Sequence, residues 1–541
     1  MKKLTLWISL FFVFGLLLHG FQGSEKADMV LTNGKVFTGL NEKPRFQAVA
    51  VKDGKILAVG TNEEITESIG PSTQVLDVKG KLVIPGFIDA HCHFSSGGRS
   101  LTKLDLRDAR TIETIQDRIA ERIKELSEGE LVVAYASYPN PSLFKGLGWP
   151  TKEILDHVSP NNPVIIQRRG GHAVWVNSVA LEKSDITKDT EAPPGGEIVK
   201  DPETGEPTGI LKEAASNLLK VWDKPKPRED IGRALEHAAQ LGITGVQTGS
   251  YLKEIEIFKE LEKEGKLTLR VYAWVPVQEL DRAIEKEIKH GQGDEMVRVG
   301  LVKMYIDGTI GVRSALMFES FTEEPGNTGL AQYEEEEFYA LVEKAHRNGY
   351  QVGVHAIGDK AVHWVLNAFE RAQNMYGKKA LRHRVEHCTV VTFEDAERFG
   401  KLGVVASMQP NITGSEIYRR VRLGKERARR VDMWRTLLNN GAVLAWGTDW
   451  PVSPLNPMEN LYQLVTRYYT EERMTMAEAI KYYTYGSAYA SHEEDIKGTL
   501  EKGKLADMVV LSRDLFTIPS REILRTEVLY TILGGKIVYQ K

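Results

Sequence analysis

A train of eight nearly continuous apolar stretches, each followed by an amphipathic one, limits the fold more than any other feature of the chain. They are KLVIPGFIDAHCH, GITGVQTGS, LRVYAWVPV, RVGLVKMYIDG, YQVGVHAIGD, LRHRVEHC, GVVASMQP and AVLAWGTD. A strand with one wet face alternates apolar and polar residues, whereas near-continuous hydrophobicity belongs to parallel strands buried on both faces. Eight of these separated by helices predict an α/β protein built on a (β/α)8 TIM-type barrel. The spacing agrees: His355 and His387 are 32 residues apart, one βα unit, and His387 and Asp449 are 62 apart, room for two. With Lys303 on strand 4, the two histidines fall on strands 5 and 6 and Asp449 on strand 8.

The ends of the chain have a different texture. From Asp28 to Val83 short β runs are separated by turns such as Asn33-Gly34 and Asp53-Gly54, and KGKLADMVVLSRD and EVLYTILGGKIVYQK repeat the pattern at the C-terminus. We therefore expect residues 28–82 and 497–541 to build one composite β-sandwich around a barrel of residues 83–496. The stretch of about 101–225 is too long for one crossover and reads as an insertion between strands 1 and 2, over the barrel mouth. Ahead of all this, Lys2 and Lys3 precede an apolar run from Leu4 to Leu18, whose 15 residues fall short of the ~20 a spanning helix needs. Residues 1–23 read as a secretory signal or, uncleaved, a membrane anchor, with a buried N-terminal helix as the plain alternative. Either of the first two places the body outside the cytoplasm, as an exported, secreted or membrane-anchored protein.

Composition narrows the function. With 42% hydrophobic and 27% charged residues the chain is globular, and 70 basic against 74 acidic residues give no clustered basic excess for nucleic acid. Cys92 and Cys388 are too few for a disulfide framework and form no C-x-x-C pair; each is expected to face the barrel's outer layer. No G-x-S-x-G and no glycine-rich phosphate loop occurs.

The chemistry sits at the strand ends. In His91-Cys92-His93 the two imidazoles share one face of a strand, a good pair of ligands for a divalent transition metal. His355, His387 and Asp449 also end apolar strands, and a barrel gathers its strand C-termini into one mouth. Lys303 sits inside an apolar strand. It is either a salt-bridged core lysine or an amine that adds CO2 to give a carbamate bridging two ions. Asp307 could orient substrate or a ligand, or serve as a turn carboxylate; Asp359 reads as a helix start. His157, His237, His290, His346 and His363 fall in helical patterns as surface or packing residues. Trp175, Tyr251, Trp274, Phe318 and Trp450 are either aromatic groups near the mouth or plain packing.

Taken together, VIPGFIDAHCH, the strand-4 lysine, HAIGD, RVEH, GTDWPV and GTLEKGKLADMVVL resemble the amidohydrolase superfamily. More narrowly, they are similar to its amidohydrolase-3 branch, which contains N-substituted formamide deformylase. The resemblance covers nearly everything after Asp28, including RRGGHAVWVNSVAL and VKMYIDGTIGVRSA. It implies a barrel with a composite β-sandwich and a centre of one or two metal ions, commonly Zn2+. It assigns His91, His93, His355, His387 and Asp449 to that centre, with Lys303 as the carbamylated bridge. Gly171 stands before His172 where the branch often has Asp, so His172 carries over only as a substrate-pocket candidate, the alternative being a hydrogen-bonded loop histidine.

The expected reaction is hydrolysis of a C–N bond in an amide, formamide or cyclic amide, with Asp449 as proton shuttle, acting on a small-molecule substrate. An ester fits the same machinery. A metal-assisted lyase, isomerase or decarboxylase, and a non-catalytic exported binding protein, are the alternatives on the same barrel. A homodimer is compatible with the sequence and not required by it.

Overall fold

The computed structural model describes residues 25–106, 108–136, 149–168, 173–222 and 224–541. The apolar leader of residues 1–23 and His172 lie outside the described residues. Among the described residues no helix is long and apolar enough to cross a membrane.

Eight parallel strands make one sheet whose order follows the chain. They are β1 (Phe87–Cys92), β2 (Ile243–Gly249), β3 (Arg270–Pro276) and β4 (Val297–Tyr305). β5 (Val352–Ala356), β6 (Arg384–His387), β7 (Val405–Met408) and β8 (Val443–Trp446) follow. Seven lie within their apolar segments and β4 starts one residue ahead of its own, so the barrel expected from the hydrophobic pattern is the one that forms. The ring is drawn together between β8 and β1 at their C-terminal ends. The carbonyl of His91 accepts N–H bonds from Thr448 (3.2 Å) and Asp449 (2.6 Å), and that of Trp450 accepts from His93 (2.8 Å). Gly447 permits this approach, because a Cβ there would stand 2.6 Å from the His91 nitrogen.

Helices cover the sheet for ordinary amphipathic reasons. Glu335–Arg347 carries Glu335, Glu336 and Glu337 in its first turn and Lys344, His346 and Arg347 in its last, matching the helix dipole at both ends. Its buried Phe338, Tyr339, Val342 and Ala345 recur at helical spacing and join the large core between sheet and helices. Cys92 and Cys388 lie in that outer core.

Both chain ends share a five-stranded sheet. Met508–Leu511 pairs antiparallel with Leu82–Pro85, Met508 opposite Pro85 and Leu511 opposite Leu82. A four-stranded sheet of the N-terminal segment shares a core with it, through Leu31, Val49, Val83 and Met508. The segment between β1 and β2 forms its own six-stranded sheet, in which Gly196–Lys200 and Pro207–Glu213 make an antiparallel pair. Trp175 fills the core of that sheet and is packing, not an aromatic wall of the barrel mouth.

Candidate metal centre

Inward-facing positions of the barrel build the site. On β1 the alternation that hides Cys92 in the outer layer turns Asp89 and His91 inward, and His93 follows just past the strand. His91, His93 and Asp449 each offer one ligand atom, all within 4.8 Å of one another. The Nε2 atoms of His91 and His93 stand 3.5 and 3.2 Å from Asp449 Oδ1. His387 and His355 continue the ring: the centroid of His387 is 4.7 Å from that of His91 and 4.4 Å from that of His355. They adjoin the three-residue cluster without belonging to it. His387 and Asp449 hold left-handed backbones, φ 68° and 55°, a conformation that costs a non-glycine residue about 1–3 kcal/mol and recurs at functional sites.

Each inner imidazole has one nitrogen held by the protein. His91 Nδ1 lies 2.7 Å from Glu386 Oε2, His387 Nδ1 lies 2.7 Å from Gln409 Oε1, and His355 Nε2 lies 3.1 Å from the Gly308 carbonyl. With an acceptor on one side, the proton of a neutral ring is fixed there, and the other nitrogen is left with a lone pair to give. Glu386 is in turn clamped by Arg384 at 2.7 Å, both fully buried, and Arg384 is held by Ala90 O (2.6 Å) and Ser407 Oγ (2.9 Å). Gly353 leaves room for this carboxylate, since a Cβ there would lie 3.0 Å from Glu386 Oε1.

Lys303 is buried, and its Nζ has no hydrogen-bond partner; it lies 5.0 Å from the ring centroids of both Trp274 and Tyr305. The salt-bridged core lysine is therefore not what forms, because no carboxylate among the described residues comes within ion-pair distance. Burial pulls its amine down to about 8, against the pull of Glu386 and Asp449 in the other direction. Burial also lowers His355, to about 4, and His387 well below the usual histidine range. Asp449 goes down despite its burial, because the His91 and His93 imidazoles face its Oδ1, which has no hydrogen bond of good geometry. Imidazoles with a nitrogen left to donate, a carboxylate and an unpartnered buried amine form a donor set that suits a divalent cation.

Asp307 sits at the end of β4 with its oxygens taken up by N–H groups of Leu316 (2.9 Å), Ile357 (3.0 Å) and Gly358 (2.8 Å), and 3.6 Å from His355 Nε2. Its carboxylate thus acts as a turn carboxylate joining the loops after β4 and β5. Asp359 opens the helix Asp359–Tyr376 and accepts the Phe318 N–H at 3.0 Å. Trp274 is fully buried against His91 and Trp450 packs between Phe94 and His237, whereas Tyr251 and Phe318 are exposed. Sequence reasoning missed Glu386, Arg384, Gln409 and Asp89. Glu386 precedes a ligand by one residue, which in a regular strand places it on the opposite face. The left-handed turn at His387 breaks that alternation, so both side chains reach the barrel interior. The signal that was available is the R-V-E triplet, an i, i+2 charge pair in an otherwise apolar strand.

A (β/α)8 barrel with H-x-H on its first strand, further histidines at the ends of its fifth and sixth and a carboxylate after its eighth defines a metal-dependent hydrolase scaffold. The chain belongs to the amidohydrolase family, whose model matches residues 74–539. It is 32% identical to Protein LONG AFTER FAR-RED 3 of Arabidopsis thaliana, over 95% of this chain and 92% of that one. It is 27% identical to the N-substituted formamide deformylase of Arthrobacter pascens, over 96% and 99% of the two. Among solved structures, an uncharacterized metal-dependent hydrolase from Pyrococcus horikoshii OT3 matches with a TM-score of 0.73 at 28% identity, over 91% of this chain and 99% of that one.

Proposed function

We propose that the protein hydrolyses a C–N bond, other than a peptide bond, in a small amide, formamide or cyclic amide. The observation that carries this is the donor set itself: His91 and His93 converge on Asp449 Oδ1 at 3.5 and 3.2 Å, and His91 is braced from behind by Glu386. The likeness to a deformylase of N-substituted formamides supports the bond type. A divalent cation, Zn2+ in this reading, supplies Lewis acidity that polarises a carbonyl oxygen and makes water a nucleophile near neutral pH.

The chain's own groups do the rest. Asp449 Oδ1 takes the proton of the attacking water and delivers it to the departing nitrogen, whose expulsion as an anion would otherwise be prohibitive. The neutral amine of buried Lys303 would add to CO2, forming an N–C bond and releasing a proton, and the resulting carbamate oxygens would join the histidines and Asp449 in holding the metal. The apolar leader of residues 1–23 carries the enzyme out of the cytoplasm, cleaved or as an anchor.

Zinc-reconstituted protein incubated in 18O-water with N-formyl amines, N-acyl amines, acyl amino acids, cyclic amides and esters tests the reading. The expected outcome is an amine and an acid carrying one 18O from at least one nitrogen-containing class, abolished by chelation and restored by Zn2+. Asp449→Asn lowers turnover by about 10²–10⁴-fold, the worth of a positioned proton carrier. Turnover without incorporation of water assigns the barrel to lyase or isomerase chemistry, and inactivity on every class sets the hydrolase reading aside.

A further inference from the structure

We propose that the two halves of this centre are unequal, and that Glu386 is the positioning residue that makes the His91–His93–Asp449 half the first and tighter seat for a divalent ion. The His355–His387 half is then the later and weaker one. The inference rests on the metal-hydrolase reading above and concerns the order in which its site fills.

The three braced imidazoles lean on different kinds of acceptor. His91 leans on a carboxylate, Glu386 Oε2, at 2.7 Å, His387 on a neutral amide, Gln409 Oε1, at 2.7 Å, and His355 on the Gly308 carbonyl at 3.1 Å. A carboxylate drawing on one ring N–H pushes electron density toward the opposite nitrogen and makes it a stronger donor than a neutral acceptor does. The Glu386 carboxylate is held in the barrel interior by Arg384, 2.7 Å away, itself fixed by a backbone carbonyl and the Ser407 hydroxyl. The pair is thus a built device in the barrel interior, aimed at one ligand of the six.

Fixed charge favours the same half. Asp449 lies within 3.5 Å of both His91 and His93 nitrogens. The other half has Asp307 3.6 Å from His355 Nε2, but that carboxylate is spent on three backbone N–H groups. Gln409 completes the contrast: its Oε1 is engaged by His387, and its buried Nε2 has no partner.

The test is stepwise loading of metal-free full-length protein with Zn2+ by calorimetry and with Co2+ by visible absorption. The expected result is two steps, the first at least about tenfold tighter, with His93→Ala removing the tight step and His387→Ala only the weak one. Glu386→Gln weakens the first step about 10–100-fold and leaves the second in place, the usual effect of losing a ligand's outer partner. That variant also strips Arg384 of its counter-charge and can unfold, so Gln409→Glu is the converse experiment. It puts a carboxylate behind His387 and narrows the gap by strengthening the second step. A single step that survives His387→Ala and disappears in His93→Ala also supports the proposal. Two equal steps, a tight step surviving His93→Ala, a single step lost in both alanine variants, or an unchanged gap in folded Gln409→Glu overturns it. Failure of the wild-type protein to bind either ion at all overturns the metal-hydrolase reading instead.

Discussion

Asp89 is fully buried, and one carboxylate serves two strands: Oδ1 accepts the N–H of His91 at 3.0 Å and of Thr448 at 3.2 Å, and Oδ2 accepts the Thr448 hydroxyl at 2.7 Å. It therefore fixes the spacing between the H-x-H pair and Asp449 from outside the candidate ligand set. Asp89→Ala takes this acceptor from the His91 N–H and the Thr448 hydroxyl, while the Thr448 N–H keeps the His91 carbonyl, and is expected to cost about 2–4 kcal/mol at roughly 1–3 for each buried orphan, with compensation. Thermal unfolding monitored by circular dichroism measures it; a change below about 1 kcal/mol contradicts the role. Residues of this kind are where the sequence was hardest to read. His91, His93, His355 and Asp449 announce themselves by type and by position at apolar strand ends. Asp89, Glu386 and Gln409 do not, because a polar side chain near a strand end has many bland explanations and its partner is hundreds of residues away.

At the scale of elements, the seam between β8 and β1 is the weak point of the ring. The other neighbours pair through several registered residues, while this one relies on the backbone bonds around His91, Thr448 and Trp450 and on the absence of a side chain at Gly447. A methyl group in Gly447→Ala meets the His91 nitrogen at 2.6 Å and its Cβ at 2.8 Å, so the strands must part. The expected effect is a loss of about 1–3 kcal/mol, typical of overpacking, together with weaker retention of an added divalent metal. Melting temperature and metal content measured on the same preparation check it, and full metal retention argues that the seam does not govern ligand spacing. Gly353→Ala tests β5 in the same way, against Leu301 and Glu386. The strands themselves were legible because continuous hydrophobicity marks a two-sided burial. The closing of the seam was not, since it depends on a contact between residues 91 and 447.

Across the whole molecule, the strand Met508–Leu511 ties the chain ends to each other. Met508, Val509, Val510 and Leu511 are all fully buried against Leu82–Pro85 and the barrel's outer layer. At about 1.5–3 kcal/mol for each buried side chain, this one strand is worth roughly what a domain has in net stability. A chain ending at residue 507 is expected not to fold, as read by loss of the cooperative melt; a stable truncated barrel overturns that. His290 and His492 pack as partly to largely buried imidazoles, ring centroids 5.0 Å apart, and add a pH dependence to folding. His290, pulled down to about 4 by burial and by His492, stays neutral where the unfolded chain has already taken up a proton near 6.5. Stability from this group is therefore present above about 6.5 and is lost as pH falls from there toward 4. His290→Gln is expected to flatten that slope, so that the wild-type advantage in melting temperature shrinks between pH 7 and pH 5. An advantage that grows on acidification contradicts the sign.

The sequence by itself determined the barrel, its eight strands and the residue types at their ends, because burial on both faces and strand alternation are local properties written into consecutive residues. The same local logic set Cys92 apart from His91 and His93. Only the tertiary structure decided which nitrogens are free to coordinate, that Lys303 stands without a counter-charge, and that Glu386, Arg384, Gln409 and Asp89 brace the centre. Those outcomes depend on distances between groups far apart along the chain, which the closed ring of strands fixes and no stretch of residues contains.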